Sequence, residues 1–508
     1  MVKKQCCCPI TGIVIGVIVV VISLIVEFVI VPYVFKENLE LNNSSMQYNN
    51  WYRPEVPISM QWYIFNLTNA DDVVNHGAKP SFVQLGPYTY REYRWKTYLK
   101  WDSDKGTVRY KNLRWWVFEP NKSTGSEDDL IWSINLPLVT VAESLRYESL
   151  LIQEGFALFA KLNSEGLYRK YTMKELIWGY HDPMMTAAMS LLPDMFYTDF
   201  VGVYAGKNYT DDGVWTVSTG EKDITTVGQT VAYNGTKYLN FWSSQYANMV
   251  NGTDGTVGKP GITKDEQFYM FVPDLCRSLY GVYSEEEKTS EGITLYRFSP
   301  DANEMKNATG NPDNAGFCTP PGNCLLGDGM MNLTVCQMLD HFNIPVMASL
   351  PHFLYADPRY LEKVEGLHPV ESEHKTDIAL EPRTGIVMRV AKRLQINMYL
   401  RAVEYIDFMK DAPEMVFPVA WLNESAVIDG QNQDVFLSLM QLMNVANILC
   451  YVMYACGGLS MIGCSAYLTC YCVKTKSSGT GEREPLLGSQ KSGGSLSVPV
   501  KEQSEEET

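Results

Sequence analysis

Two membrane-spanning helices flanking one large mixed α+β lumenal domain is the fold class this chain predicts. Three observations predict it: an apolar run near each end, N-glycosylation sequons confined to the stretch between the runs, and strand and helix patterns interleaved within that stretch.

From Ile10 to Val34 the sequence is almost continuously Ile and Val, with Glu27 its only charge. A hydrocarbon core needs roughly 20 such residues. The second run, Val435 to Val473, carries no charge. Backbone groups in lipid must be satisfied within their own segment, so both runs are expected to be helices. A cleaved signal peptide also begins with basic residues, but the first run is too long for such a core and shows no small-residue cleavage site before Pro32, so it reads as an uncleaved anchor. Gly12 and Gly16, and Cys456, Ser460 and Cys464, place small residues four apart on the two helices, where the spans can pack on each other or on copies. Lys3 and Lys4 precede the first span and Lys474 and Lys476 follow the second, which puts both termini in the cytoplasm.

The chain thus divides into a cytoplasmic N-terminal tail (1–9), a first span (10–34), a lumenal or extracellular domain (35–434), a membrane-proximal segment with the second span (435–473), and a tail (474–508) whose Ser, Gly and Glu predict disorder. Sequons begin at Asn42, Asn43, Asn66, Asn121, Asn208, Asn234, Asn251, Asn307, Asn332 and Asn423, where chance gives only about four. Asn42 and Asn43 overlap, so Asn43 and the other eight are the candidate glycan acceptors. Of 508 residues 42 are basic and 58 acidic, and nearly all of the net charge of −16 falls between Phe35 and Asp434. Nucleic acid is therefore an unsuitable partner.

The cysteines divide by compartment. Cys6, Cys7 and Cys8 sit at the cytoplasmic mouth of the first span and Cys470 and Cys472 at that of the second, positions suited to S-palmitoylation. The four domain cysteines, Cys276, Cys318, Cys324 and Cys336, allow three disulfide pairings. Zinc would need a CxxC or a paired histidine, and neither accompanies them.

Tyr93, Trp95, Thr97, Leu99 and Trp101 alternate with Arg94, Lys96, Tyr98 and Lys100, and turn residues Asp102 to Gly106 lead to a second run ending at Trp116. This predicts a hairpin with one basic face, read as a solvated strand face that is also able to meet anionic ligands. Thr140 with Glu143 and Thr172 with Glu175 form capping boxes that predict helix starts. After the first, Val141, Leu145, Ile152, Phe156 and Phe159 recur at helical spacing, a packing stripe. No GxSxG, HExxH, GxxxxGK[ST] or GxGxxG occurs, and the six histidines are scattered, so neither an enzyme nor a cofactor is expected.

Phe65-Asn-Leu-Thr-Asn69, Gly86-Pro-Tyr-Thr-Tyr-Arg-Glu92, Glu175-Leu-Ile-Trp-Gly-Tyr180, Asn251-Gly-Thr-Asp-Gly255, Ile262-Thr-Lys-Asp-Glu266, Asn314-Ala-Gly-Phe-Cys318 and Phe417-Pro-Val419 follow one another from span to span. In these motifs the chain resembles the class B scavenger receptor family, most closely its lysosomal integral membrane protein type 2 subgroup. The resemblance implies an antiparallel β-barrel core, a helical apex, and an internal apolar tunnel leading sterol, fatty acid or phospholipid toward the bilayer. It also implies disulfides Cys318–Cys324 and Cys276–Cys336. On the apical ligand helix, which carries Arg146, Glu148 stands where the subgroup has a histidine associated with its lysosomal hydrolase cargo. A carboxylate does not titrate in the imidazole range. In the tail, Glu482, Leu486 and Leu487 have the spacing of an acidic dileucine signal for clathrin adaptor complexes and resemble the subgroup's own tail. The family's lysosomal and plasma-membrane branches, and a homo-oligomeric state, are the alternatives this leaves.

Overall fold

The fold is that of a computed structural model, which describes residues 2–318, 324, 326–339, 341–428 and 430–478. It divides into two compact units: the chain ends, Met1–Pro32 with Met440–Thr508, and a large unit, Tyr33–Leu439. Among the described residues two helices are long and apolar enough to cross a membrane, Cys8–Leu39 and Phe436–Lys474.

From the first unit, α1 (Val2–Ile25) passes through a widened turn at Val26–Ile30 and continues as α2 (Val31–Leu39), most of which belongs to the large unit. The small residues of the two apolar helices meet each other. Ser460 Oγ donates to the carbonyl of Gly12 at 3.0 Å, and a Cβ added at Gly16 would stand 2.8 Å from the carbonyl oxygen of Gly457. Glycine therefore lets the backbones approach to a distance any side chain would forbid. Glu27, on the widened turn, is not bare either: the Tyr454 hydroxyl donates to its carboxylate at 2.6 Å.

The large unit is built on one antiparallel sheet, of thirteen strands among the described residues. Eleven carry the barrel: β1 (Ile58–Leu67), β2 (Phe82–Asp102), β3 (Thr107–Phe118), β4 (Thr210–Ser218), β5 (Thr230–Tyr233), β6 (Phe268–Val272), β7 (Arg277–Lys288), β8 (Thr294–Pro300), β9 (Asp377–Leu380), β10 (Val387–Leu400) and β11 (Met415–Val427). Neighbours in space are neighbours in sequence, and β11 returns to pair with β1. The remaining gap, between β5 and β6, is bridged by a single stretch of backbone. Thr230 N–H donates to the Gly252 carbonyl at 2.7 Å, and Thr253 exchanges hydrogen bonds with Tyr269 and Phe271 of β6. A Cβ at Gly252 would collide with the Tyr269 backbone, and its φ of +86° favours glycine. Both ends of the sheet are thus bridged, while β2 beyond Glu92 outruns β1 and pairs with β3 alone.

Short helices complete the unit. Ser45 caps α3 (Met46–Tyr52), its oxygen accepting from the Tyr48 N–H at 3.0 Å. Asn135 caps α4 (Leu136–Ser144), α5 (Leu150–Leu162) follows after one tight turn, and Asp182 with Pro183 starts α6 (Pro183–Leu191). Two expectations about these segments need correcting. The Thr172–Glu175 capping box forms, but Thr140 lies inside α4 and returns its hydroxyl to the Leu136 carbonyl, because Asn135 caps the helix five residues earlier. The expected continuous stripe from Val141 to Phe159 is accordingly split between α4 and α5.

The hairpin of β2 and β3 forms where expected, around a turn whose Lys105 N–H donates to Asp102. Its orientation is the reverse of the expected one. Arg94 and Lys96 point into the barrel and Tyr93, Trp95 and Trp101 point out. A bulge at Tyr98, φ +54°, then shifts the register, so that Tyr98 and Lys100 also face out.

The interhelical seam of the first unit gives a direct test. In Gly12→Cys the new thiol should bond to Cys464, whose sulfur the added Cβ would touch. Mild oxidation followed by proteolysis of the large domain is expected to leave the terminal fragments linked on a non-reducing gel; fragments that separate would refute the seam.

Candidate functional site: three adjoining cavities

Three cavities in the large unit share walls. The first, of 560 Å³, lies beside β10 and β11 and is lined by Val346, Leu394, Ile396, Met398, Val419 and Leu422 among others. The second, of 170 Å³, shares Val272, Asp274, Lys392 and Glu424 with it. The third, of 640 Å³, shares Asn50, Pro54, Val56 and Ile428 with the second and includes Arg53, Tyr93 and Phe436. A separate pocket of 450 Å³ lies among α4, α5 and α6, lined by Ile152, Phe156, Phe159, Met185, Leu192 and Phe342 with almost no polar surface. Leu151 and Leu162 of α5 stand 81 % and 75 % exposed, so this helical cluster carries an uncovered apolar surface.

The middle cavity departs from the wholly apolar lining implied by resemblance. Its wall holds Arg94, Arg114, Arg389 and Lys392 together with Asp212, Asp254, Asp274 and Glu424. Arg94 is ion-paired to Glu424 and, at 2.6 Å, to Glu92. Lys392 lies 3.7 Å from Glu424. Arg114 stands 3.5 Å from Asp274 and 3.8 Å from Asp212, and Asp212 also accepts from Trp215 Nε1 at 2.9 Å. Lys96 meets Asp254 at 2.6 Å, Tyr110 donates to the same carboxylate, and the ammonium lies 4.9 Å from the Tyr110 ring centre. Burial raises the carboxyl groups, but the neighbouring cations outweigh it. Glu424 is held at about 2, chiefly by Arg94 and then Lys392, and Asp254 at about 2 by Lys96. Asp274 is likewise driven far below the ordinary range by Arg114 and Lys207. The alternation of Arg94 and Lys96 with aromatics is the available sequence signal, and it predicts the basic set toward solvent.

A second polar cluster sits in the core. His352 is buried and stacks on His374 at 4.3 Å. Its Nδ1 accepts from the His368 N–H, so the proton resides on Nε2, which donates to Gln84 at 2.6 Å. Burial, then His374 and His368, push its pKa down to about 3. Among the described residues no group of three His, Cys, Asp or Glu could hold a metal ion.

The residues singled out from sequence are spread over the molecule. Cys276 is bonded to Cys336 and Cys318 to Cys324, with Cα separations of 6.5 and 4.9 Å. Asn43, Asn121, Asn208 and Asn234 are exposed; Asn66, Asn251, Asn307, Asn332 and Asn423 are half-buried. At Asn66, Asn208 and Asn234 the side-chain oxygen accepts a backbone N–H. Asn423 differs: on β11, it donates its amide hydrogen to Gln61 at 3.0 Å. Arg146 is occupied by Glu143 and by the carbonyls of Arg401 and Ala402, whereas Glu148 lies exposed in the turn before α5. Cys8, Cys470 and Cys472 are exposed. The side chains of Cys6 and Cys7, and Glu482, Leu486 and Leu487, lie outside the described residues.

The depressed carboxyl groups make a signed prediction. A carboxylate whose folded pKa lies below its unfolded one stabilises above the unfolded value and loses that contribution as pH falls through the folded one. Glu424→Gln leaves Lys392 without its carboxylate and Arg94 with Glu92 alone, and should cost about 3 kcal/mol. The difference in melting temperature between wild type and variant should be the same at about pH 7 and about pH 5 and shrink below about pH 4. A difference already lost at about pH 5 would contradict the arrangement.

Comparison with known proteins agrees with this architecture. The CD36 family model matches residues 10–469. Lysosome membrane protein 2 of Mus musculus is 34% identical over 464 residues, 90% of this chain and 93% of that protein. The Homo sapiens protein of the same name is 34% identical over 459 residues, covering 89% and 92%. Scavenger receptor class B member 1 of Sus scrofa is 32% identical over 446 residues, covering 86% and 84%. With a match running from one apolar helix into the other around a closed antiparallel sheet, this chain belongs to the CD36 family.

Proposed function

We propose that the protein is a glycosylated membrane protein of lysosomes and late endosomes that binds lipid in its lumenal domain and passes it toward the bilayer. The observation that supports this reading is that three cavities share wall residues in series, from beside β10 and β11 to the neighbourhood of α3 and Phe436, where a route for lipid would run. An apolar molecule gains by leaving water for such a route. The uncovered pocket among α4, α5 and α6 suits an acyl chain or sterol ring at the point of capture. No step requires a catalytic group.

The lysosomal assignment is supported by the relatives named lysosome membrane protein 2 and by the dileucine spacing of Glu482, Leu486 and Leu487. Clathrin adaptors would bind this tail. A receptor role for hydrolase cargo is less well supported, because Glu148 replaces the titratable group expected there and Arg146 is already engaged. The second reading, a plasma-membrane scavenger receptor for lipoproteins, lipids or particles, rests on the similarity to scavenger receptor class B member 1.

Ile396 is half-buried and lines the largest apolar wall of the route. Ile396→Trp should slow transfer of labelled sterol, fatty acid or phospholipid into acceptor liposomes several-fold while shifting stability by less than about 1.5 kcal/mol, since added bulk enters a void. Unchanged transfer with the Trp in place would argue against this passage. Leu486→Ala combined with Leu487→Ala should move the protein from lysosomes to the cell surface, as read by co-localisation and surface biotinylation. Retention in lysosomes at the wild-type level would remove the sorting role.

A further inference from the structure

The outward face of the β2–β3 hairpin is an aromatic strip. Tyr93, Trp95, Tyr98 and Trp101 are exposed by 40, 37, 78 and 40 %. Cations lie over three of the rings: Arg91 over Tyr93 at 5.6 Å, Arg53 over Trp95 at 5.1 Å and Lys111 over Tyr98 at 5.8 Å. Tyr52 and Tyr48 of α3 extend the strip by packing on Trp95 and Trp101. Tyr and Trp interleaved with long basic side chains is the composition of a membrane–water interface, where the ring is buried at headgroup depth and the cation meets phosphate.

Position and charge together say what covers this face. The hairpin turn is tied to chain that has just left an apolar helix: Thr219 N–H donates to the Gly106 carbonyl at 2.9 Å, and Leu41 N–H to the Thr219 carbonyl at 2.8 Å. Leu41 stands two residues beyond the end of α2, and the uninterrupted apolar run stops at Val34, about 10 Å of helix away. The hairpin turn is thereby tied through two hydrogen bonds to chain seven residues past the end of the apolar run. Next to Tyr98 and Trp101, Lys100 faces Arg109 directly across the hairpin. Both are exposed, and among the described residues neither has an acidic partner. Like charges placed opposite one another on paired strands destabilise the hairpin unless an anion neutralises them. A carbohydrate ligand fits less well, because stacking on sugar needs bare ring faces and three of these rings already carry a cation.

We propose that this strip is a membrane-docking surface, which lays the outer face of the hairpin on the anionic headgroup layer of the membrane in which the chain is anchored. Tyr98 and Trp101 enter the headgroup region, and Lys100 and Arg109 lie against lipid phosphates. The assignment is independent of which lipid the cavities hold.

The test uses the full chain in nanodiscs containing phosphatidylserine with a photoactivatable diazirine at the headgroup, adducts being mapped by mass spectrometry. Adducts are expected on the Tyr98–Arg109 segment. In the variant with Tyr98→Ser, Lys100→Ser, Trp101→Ser and Arg109→Ser they should fall about tenfold or more, each cation near an anionic surface being worth about fivefold in binding. Lipid adducts on the apolar helices should be unchanged. A second variant, Lys100→Ser with Arg109→Ser, keeps every aromatic contact; it should lose labelling in phosphatidylserine discs and match wild type in discs of phosphatidylcholine that itself carries the headgroup diazirine. An unlabelled hairpin alongside labelled helices, or equal labelling of wild type and both variants, would overturn the proposal. So would heparin binding that is lost in the double variant while hairpin lipid adducts are absent, which would identify a soluble polyanion instead.

Discussion

Glu424 is the constraint on which the interior of the large domain depends. It stands on β11, and its carboxylate meets Arg94 from β2, across the intervening β1, and Lys392 from the adjoining β10. Ions taken out of water are costly unless each finds a counter-charge, and removing one member leaves the others uncompensated. The pairs around Asp254, Asp212 and Asp274 repeat the arrangement around the same cavity. Side chains bound to fixed partners on several strands cannot close over the void as aliphatic ones can, so the charged wall keeps a space open inside a barrel that apolar packing would otherwise fill.

The proposed lipid route takes its character from this middle section. Apolar walls before it favour a hydrocarbon body, while four cations and four acids suit a headgroup or ordered water. A molecule with a polar end thus finds partners at the point where a bare alkane would have to displace solvent from charged groups. Selectivity among lipids would follow from this difference.

The ionisable groups differ in their response to acid. Carboxyl groups held at about 2 keep their charge at about pH 5, so the ion pairs persist there. His352 acts in the same direction but at higher pH: with a folded pKa near 3, below its unfolded value, it weakens the fold as pH drops below about 6.5, where the carboxyl groups do so only below about 4. The hydrogen bonds that complete both of its ring nitrogens explain how a neutral imidazole is accommodated among Phe65, His374 and Trp421.

By itself the sequence determined the features that depend on local composition. Two apolar runs of sufficient length must be helices wherever they lie in lipid, and Thr172 with Glu175 caps its helix through bonds three residues apart. Ordered motifs identified the family, and with it the barrel, although no periodicity in the chain required closure. Tertiary structure alone decided the rest, because the deciding partners are distant in sequence. Whether Arg94 and Lys96 faced water or the interior depended on Glu424 and Asp254, which lie 330 and 158 residues away. Alternation specifies two faces of a strand but not which one is buried when aromatic and basic residues are both amphipathic. The stacking of His352 on His374, and the closing bridge through Gly252 and Thr253, were likewise set by chain segments that meet only once the barrel has formed.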